Sequence, residues 1–360
     1  MKKILLFPLF FLFPSFLLAQ FVGNGFYRVK NRDTNRYLTI VDNRADINVA
    51  TTEPDLAAIL PIKDFNRIVG NPASIIFIEN VKDNNYILTA QNVNTYDLVG
   101  EYLKLRKMND GSYYAYASSK GMTKYLCDEQ SSYDEGWLMT GTSMRNWYII
   151  PVNSYSDNYF GVVPEFEYNG KFYTTMYASF PYMSKDDEVE IFYVNKVVNN
   201  CAIIKELELN TAVSPLTPII IRCSSSNHEN NKLDVISAKG TQLYDNLLDG
   251  VLFDNSNKKH FNRLKYNSDT MRVLGKMKDG SIGFVTADFE YLPANKAYLN
   301  VPEGSPAELR IITEDEYMTK IDDLPSVLNN PKVYFDMSGR RVSNINKGIY
   351  ISNDGCKICK

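Results

Sequence analysis

From Gly25 onward the chain is a succession of short runs in which apolar and polar residues alternate, broken by polar turns. The period is two rather than 3.6, which predicts strands and not helices. Within residues 21–152 the pattern repeats three times. The first copy is Gly25-Phe26-Tyr27-Arg28-Val29-Lys30-Asn31, a turn, then Arg36-Tyr37-Leu38-Thr39-Ile40. The second is Ile75 to Val81, a turn, then Asn85-Tyr86-Ile87-Leu88-Thr89. The third is Tyr113 to Ser118, a turn, then Lys124-Tyr125-Leu126-Cys127. Each copy is a hairpin whose second strand opens on Tyr-Leu or Tyr-Ile, at a repeat length of roughly 40 residues. A single hairpin cannot bury its apolar face, whereas three about one axis share a core and remove most open edges.

A polar linker, residues 153–160, precedes a second strand-rich region, 161–312. Its predicted strands are Lys171–Ala178, Val189–Val197, Ala202–Leu209, Pro218–Cys223, Lys232–Ile236, Met271–Met277, Ser281–Ala287, Lys296–Val301 and Glu308–Ile312. Turn signals such as Pro215, Asp279-Gly280 and Pro293 separate them, and many short strands so divided predict an antiparallel sandwich. An acidic linker, 313–330, follows, in which Thr313-x-x-Glu316 fits a helix capping box. Residues 331–360 read as a short carboxyl-terminal β segment. The fold class expected is therefore all-β.

The amino end changes the picture of location. Lys2 and Lys3 precede an apolar run from Ile4 to Leu18 and then Ala19-Gln20, the parts of a secretory signal peptide over residues 1–19. The run is short for a membrane span and is interrupted by Pro8 and Pro14. No later segment is long and apolar enough to be a transmembrane helix. Lys plus Arg is 39 against 42 Asp plus Glu, a net charge of −3, which argues against nucleic acid as partner. Asparagine makes up 36 of the 360 residues and tyrosine 25, a composition suited to turns and strands. With 2 histidines there is little room for a histidine metal site or a catalytic triad. Cys201 and Cys223 sit in neighbouring apolar runs, as a disulfide or as buried thiols, the latter preferred here. Cys356-x-x-Cys359 has the spacing of a redox or metal motif but lies at the chain end without a second ligand pair.

The threefold repeat, its Tyr-Leu openings and the closing Asn146-Trp147-Tyr148-Ile149-Ile150-Pro151 resemble the ricin-B-like β-trefoil family. That resemblance implies a sugar-binding carboxylate just after each Tyr-Leu pair and a closing Gln-x-Trp. Here those positions hold Thr39, Leu88 and Cys127, and Arg145 stands where Gln is expected. Asp42 and Asp128, a few residues along, are the alternative carboxylates for that role, or ordinary loop residues. Trp147 has two readings, a stacking platform for a sugar ring or a core plug, with the core favoured because large aromatics are mostly buried. The phrases Leu292 to Leu299 and Thr217 to Cys223 resemble β modules of bacterial cell-surface proteins. The tail, with Val333 to Val342 and Lys347-Gly348-Ile349-Tyr350-Ile351, resembles the carboxyl-terminal sorting domains of type IX secretion, or else is a hairpin completing a sheet.

The chain contains no HExxH, GxSxG or phosphate-cradling glycine loop. His228 and His260 lie in polar segments without a nucleophile beside them. The run Lys185-Asp186-Asp187-Glu188 lacks the alternation and glycine of a calcium loop. No cofactor and no metal is expected. The expectation is a secreted or surface-associated bacterial protein that binds an extracellular glycan or a surface protein without catalysis. A secreted hydrolase acting on polysaccharide or peptide, its carboxylate pair hidden among many, is the alternative, and a structural surface protein a third reading.

Overall fold

The computed structural model describes residues 21–40, 65–96, 100–119, 121–128, 136–139, 144–254 and 264–323, and short strands beyond 333. The amino-terminal segment 1–20, where the sequence predicts a signal peptide, and Asp42, His260 and Cys356 lie outside the described residues. The protein is almost wholly β. Residues up to Ile312 form one compact unit and Thr313–Lys360 a second.

The first nine strands are β1 (Gly25–Asn31), β2 (Ile76–Lys82), β3 (Asn85–Ala90), β4 (Val93–Asn94), β5 (Lys104–Lys107), β6 (Tyr113–Ser119), β7 (Met122–Asp128), β8 (Gly136–Met139) and β9 (Trp147–Pro151). Their pairings run round a closed circuit. β1 pairs β2, β2 pairs β3, Tyr86 of β3 bridges Leu103 at the entry to β5, β5 pairs β6, β6 meets β9, and β9 returns to β1. The three tyrosines of the repeat each lie opposite the preceding strand, as Lys30–Tyr37, Asn80–Tyr86 and Tyr116–Tyr125. Leu38 and Leu126, each next to its tyrosine, and Leu88, two residues past Tyr86, enter one core with Val29, Leu105 and Trp147, so in the second copy Tyr86 itself packs against that core.

The turns explain the asparagine surplus. Among the described residues, twelve non-glycine positions have left-handed φ, and eight of them are asparagine. Asn tolerates that region because its short polar side chain bonds locally, and two such residues in succession give the turn that matches strand twist. Asn199-Asn200 is such a pair, joining β14 to β15 below.

The second set of strands is β10 (Phe160–Gly161), β11 (Phe166–Tyr168), β12 (Lys171–Met176), β13 (Tyr182–Met183), β14 (Val189–Val198), β15 (Cys201–Glu206), β16 (Ile219–Cys223), β17 (Lys232–Val235), β18 (Leu248–Val251), β19 (Met271–Lys276), β20 (Ile282–Val285), β21 (Lys296–Asn300) and β22 (Glu308–Thr313). Ten of them form one sheet in the order β11-β12-β16-β14-β15-β22-β20-β19-β21-β18, and β10-β17-β13 form a small second sheet. The large sheet curls until β12 meets β21, where Thr175 Oγ1 accepts the Ala297 N–H at 3.1 Å. Its central strands are buried on both faces. Ile219, Ile221 and Cys223 of β16 enter one core while Ile220 enters another, and β14 divides the same way, Ile191 to one side and Phe192 to the other. This is why these strands read as continuous apolar runs. Cys223 is a buried thiol in the first of those cores.

The two strand sets share a seam. Phe253, which follows β18, is packed into the barrel core, and Ile75, which precedes β2, enters the core beside β16. Residues 153–160 run through the seam, with Tyr159 and Phe160 buried. Arg28 of β1 is fully buried there and faces no carboxylate among the described residues. Its guanidinium donates to Ser74 Oγ (3.2 Å), Asn158 Oδ1 (3.1 Å), and the carbonyls of Tyr159 (2.7 Å), Ile68 (3.3 Å) and Val69 (2.9 Å).

In the second unit, α2 (Glu314–Asp323) opens on a formed capping box; α1 (Phe65–Ile68) belongs to the first unit. Thr313 Oγ1 accepts the Glu316 N–H at 3.2 Å, and Glu316 Oε2 accepts the Thr313 N–H at 3.0 Å. Four short strands, β23 (Tyr334–Phe335), β24 (Arg341–Val342), β25 (Ile349–Ser352) and β26 (Lys357–Cys359), form an antiparallel sheet in the order β24-β23-β25-β26. Among the described residues no helix is long and apolar enough to cross a membrane.

Candidate binding cleft

Of the residues singled out in the sequence, Trp147 is 1% exposed and its indole Nε1 donates to the Leu126 carbonyl at 2.8 Å. Neither face of its ring is open to a ligand, so the core reading describes it and the platform reading does not. Asp128 is fully buried. It is held by Arg36, through Nε at 3.0 Å and a second contact from Nη2, and by the Thr34 hydroxyl. A carboxylate so enclosed fixes the first and third copies of the repeat together and presents nothing outward. Asp42 lies outside the described residues.

Two wide concave features stand open among the described residues: one of about 820 Å³ beside Phe77, Phe180 and Tyr244, and a cleft of about 520 Å³ where the barrel meets the large sheet, which holds the denser set of fixed polar groups. One wall is the segment from Asn66 to Ala73. There the Asn71 side chain caps a turn of 3-10 helix by accepting the Ala73 N–H at 2.9 Å, and Pro72 occupies the first position, where its missing N–H costs nothing. Gly70 lets this wall approach the other: a side-chain carbon there would lie 2.8 Å from the Gly161 carbonyl oxygen. The Gly161 N–H donates to the Val69 carbonyl at 3.1 Å across the same gap.

The opposite wall is built on β12 and the turn before β21. Lys296 Nζ lies 2.9 Å from Glu165 Oε2 and donates to Thr174 Oγ1 at 2.8 Å, and that hydroxyl donates to Glu165 Oε2 at 3.1 Å. The three groups hold one another in a fixed polar triangle on the cleft surface. The floor is closed by a reciprocal amide pair. Gln91 Nε2 donates to Asn295 Oδ1 at 2.8 Å, and Asn295 Nδ2 donates to Gln91 Oε1 at 2.9 Å. Both residues sit at left-handed turn positions, φ 53° and 59°, one on each side of the seam. A rigid pair of turn tips therefore sets the cleft width.

An apolar hollow of about 210 Å³ adjoins the cleft and shares Glu165, Thr175 and Lys296 with it. Val251, Leu274, Leu292 and Phe289 line the hollow, and Phe289 is 40% exposed, packed edge-on against Tyr266. The combined feature offers fixed hydrogen-bonding groups beside an open aromatic face. It also brings two carboxylates to one cleft, Glu165 and the exposed Asp254.

The sequence reading missed this site. Its residues come from six separated stretches, and no spacing links them. One signal was present, since Asn295 and Lys296 fall inside the Leu292–Leu299 phrase. Among the described residues no group of three or more His, Cys, Asp or Glu is placed to hold a metal. His228 Nδ1 lies 2.8 Å from the Tyr159 hydroxyl. Comparison with known proteins supplies no relative: no family model, no curated protein and no solved structure matches the chain.

Proposed function

We propose that the protein is a secreted or surface-associated binding protein that holds an extracellular glycan in the cleft and performs no chemistry on it, its strand circuit being a β-trefoil-like barrel akin to the ricin-B family. One observation carries the reading: fixed polar groups, the Glu165–Thr174–Lys296 triangle, stand beside the exposed Phe289 ring. A sugar asks for that combination, hydroxyls to be hydrogen-bonded and C–H faces to be packed on an aromatic. Preformed geometry favours binding because little ordering is left to do. A glycan array on the purified protein, followed by titration of the best ligand, tests it. Arg67→Ala and Phe289→Ala, both at exposed positions, are expected to weaken binding by about tenfold, or about 1.4 kcal/mol. Absence of any glycan ligand, or indifference to both substitutions, would overturn the reading. Secretion is tested separately by amino-terminal sequencing of the native product, which should begin near Gln20.

A second reading is favoured by the pair Glu165 and Asp254 in one cleft, since glycosidases work with two carboxylates flanking the scissile bond. A reducing-sugar release assay separates the two. Sustained release that disappears in Glu165→Gln and Asp254→Asn would replace the binding role by a hydrolytic one.

A further inference from the structure

The outer face of the barrel over β5, β6 and β7 carries cations and tyrosines side by side. Register dictates this. Lys104 lies opposite Tyr116, Arg106 opposite Tyr114, and Tyr116 opposite Tyr125, while the alternate residues Leu105, Ala115 and Leu126 point into the core. Arg145, just before β9, completes the group. Its guanidinium lies over Tyr125 at 4.5 Å and over Tyr114 at 4.9 Å, and that of Arg106 lies over Tyr114 at 5.8 Å. The rings are inclined to one another, Tyr114 to Tyr125 at 73° and Tyr116 to Tyr125 at 41°, with centroids 5.6 and 6.0 Å apart.

Among the described residues the charge on this face has no carboxylate to answer it. Four arginines elsewhere are paired with carboxylates: Arg32 with Asp33 and Asp110, Arg36 with Asp128, Arg222 with Glu190, Arg310 with Asp279. Among the described residues, Lys104, Arg106 and Arg145 have no carboxylate within ion-pair distance. Gathering three like charges on one patch without a counter-charge is unfavourable for the folded chain taken alone, and the chain carries net negative charge overall. Cation–π contact orients the two guanidiniums without neutralising them.

We propose that this face binds an acidic polysaccharide, whose carboxylate or sulfate groups meet Lys104, Arg106 and Arg145 while a sugar ring packs on Tyr116. The inclined rings favour a sugar over a nucleic acid. A stack of bases wants parallel open faces, and here Arg145 covers Tyr114 and Tyr125. The site is separate from the cleft and does not depend on the reading given to it.

Binding of the purified protein to immobilised polygalacturonate, dextran sulfate and neutral dextran of matched length tests the proposal. Binding to one or both polyanions, and not to dextran, is expected, and it should fall by about tenfold or more in roughly 0.5 M salt, where exposed charges are screened. The double variant Lys104→Glu, Arg106→Glu should abolish it, and Tyr116→Ala should weaken it severalfold, both with unchanged thermal melting. Arg67→Ala and Phe289→Ala in the cleft should leave it unaltered, so that this site and the cleft fail or stand independently. Retention of both polyanions by the charge-reversed variant, equal binding to dextran, or no binding by folded protein at low salt would overturn the assignment. Capture of duplex DNA as tightly as the polysaccharides would replace it with general polyanion binding.

Discussion

Once taken out of water, a carboxylate stabilises only what completes its shell. Asp128 and Arg36 are both buried, and each depends on the other. Asp128 accepts from Arg36 Nε, Arg36 Nη2 and the Thr34 hydroxyl away from water, so Asp128→Asn, which disrupts a buried and hydrogen-bonded charge, should cost about 3–5 kcal/mol in a urea melt, far more than loss of an exposed pair would. Glu190 is a milder case. Its carboxylate takes two hydrogen bonds of 2.6 Å from Arg222, which hold its carboxyl below the usual range against the opposing effect of burial. A depressed folded value means the contribution is present above the unfolded value, about 4.3, and is lost as pH falls through the folded one. The stability gap between wild type and Glu190→Gln should therefore be full at neutral pH and narrow below about pH 4. Thiol chemistry follows the same rule. Burial pushes Cys223 up to about 12, so its thiolate is scarce at pH 8, and iodoacetamide should modify it only after denaturant unfolds the chain.

At the scale of strands and turns, local rules were enough to find most of the fold. β1 coincides with its predicted run, and the predicted starts of β12, β14, β17, β19, β21 and β22 are the observed ones, because alternation and turn chemistry act over a few residues. What escaped were strands too short to show a period, such as β10 (Phe160–Gly161) and β13 (Tyr182–Met183), which exist through their pairing with β17. The cleft escaped for a related reason. Gln91 and Asn295 look alike in sequence to every other turn residue, and only the tertiary approach of two hairpins makes them a pair. The turns themselves are testable. Asn199 and Asn200 have φ of 50° and 63°. Alanine at either should cost about 1–2 kcal/mol, whereas glycine should be close to neutral. Chemical denaturation of the four variants measures both.

Over the whole molecule, the repeat and the second strand set read as separable in sequence but are joined by buried groups. Phe253 fills the barrel core from outside the repeat, and truncation to alanine should cost about 3–5 kcal/mol. Residues 21–152 expressed alone should lack a cooperative melt, while the full chain up to Ile312 melts as one transition; two independent transitions would show that the seam contributes little. Arg28 sharpens the point. Burial holds its pKa down to about 10, and its partners are neutral oxygens contributed by Ile68, Val69, Ser74, Asn158 and Tyr159. Until Asn158 and Tyr159 have been synthesised, the strand carrying Arg28 has no place to put a permanent charge, and until Phe253 follows, the barrel has no floor. The groups that complete the surroundings of the first strand thus lie far along the chain, 130 residues on at Asn158 and 131 at Tyr159, so a substitution in the seam is felt in the barrel it lies outside.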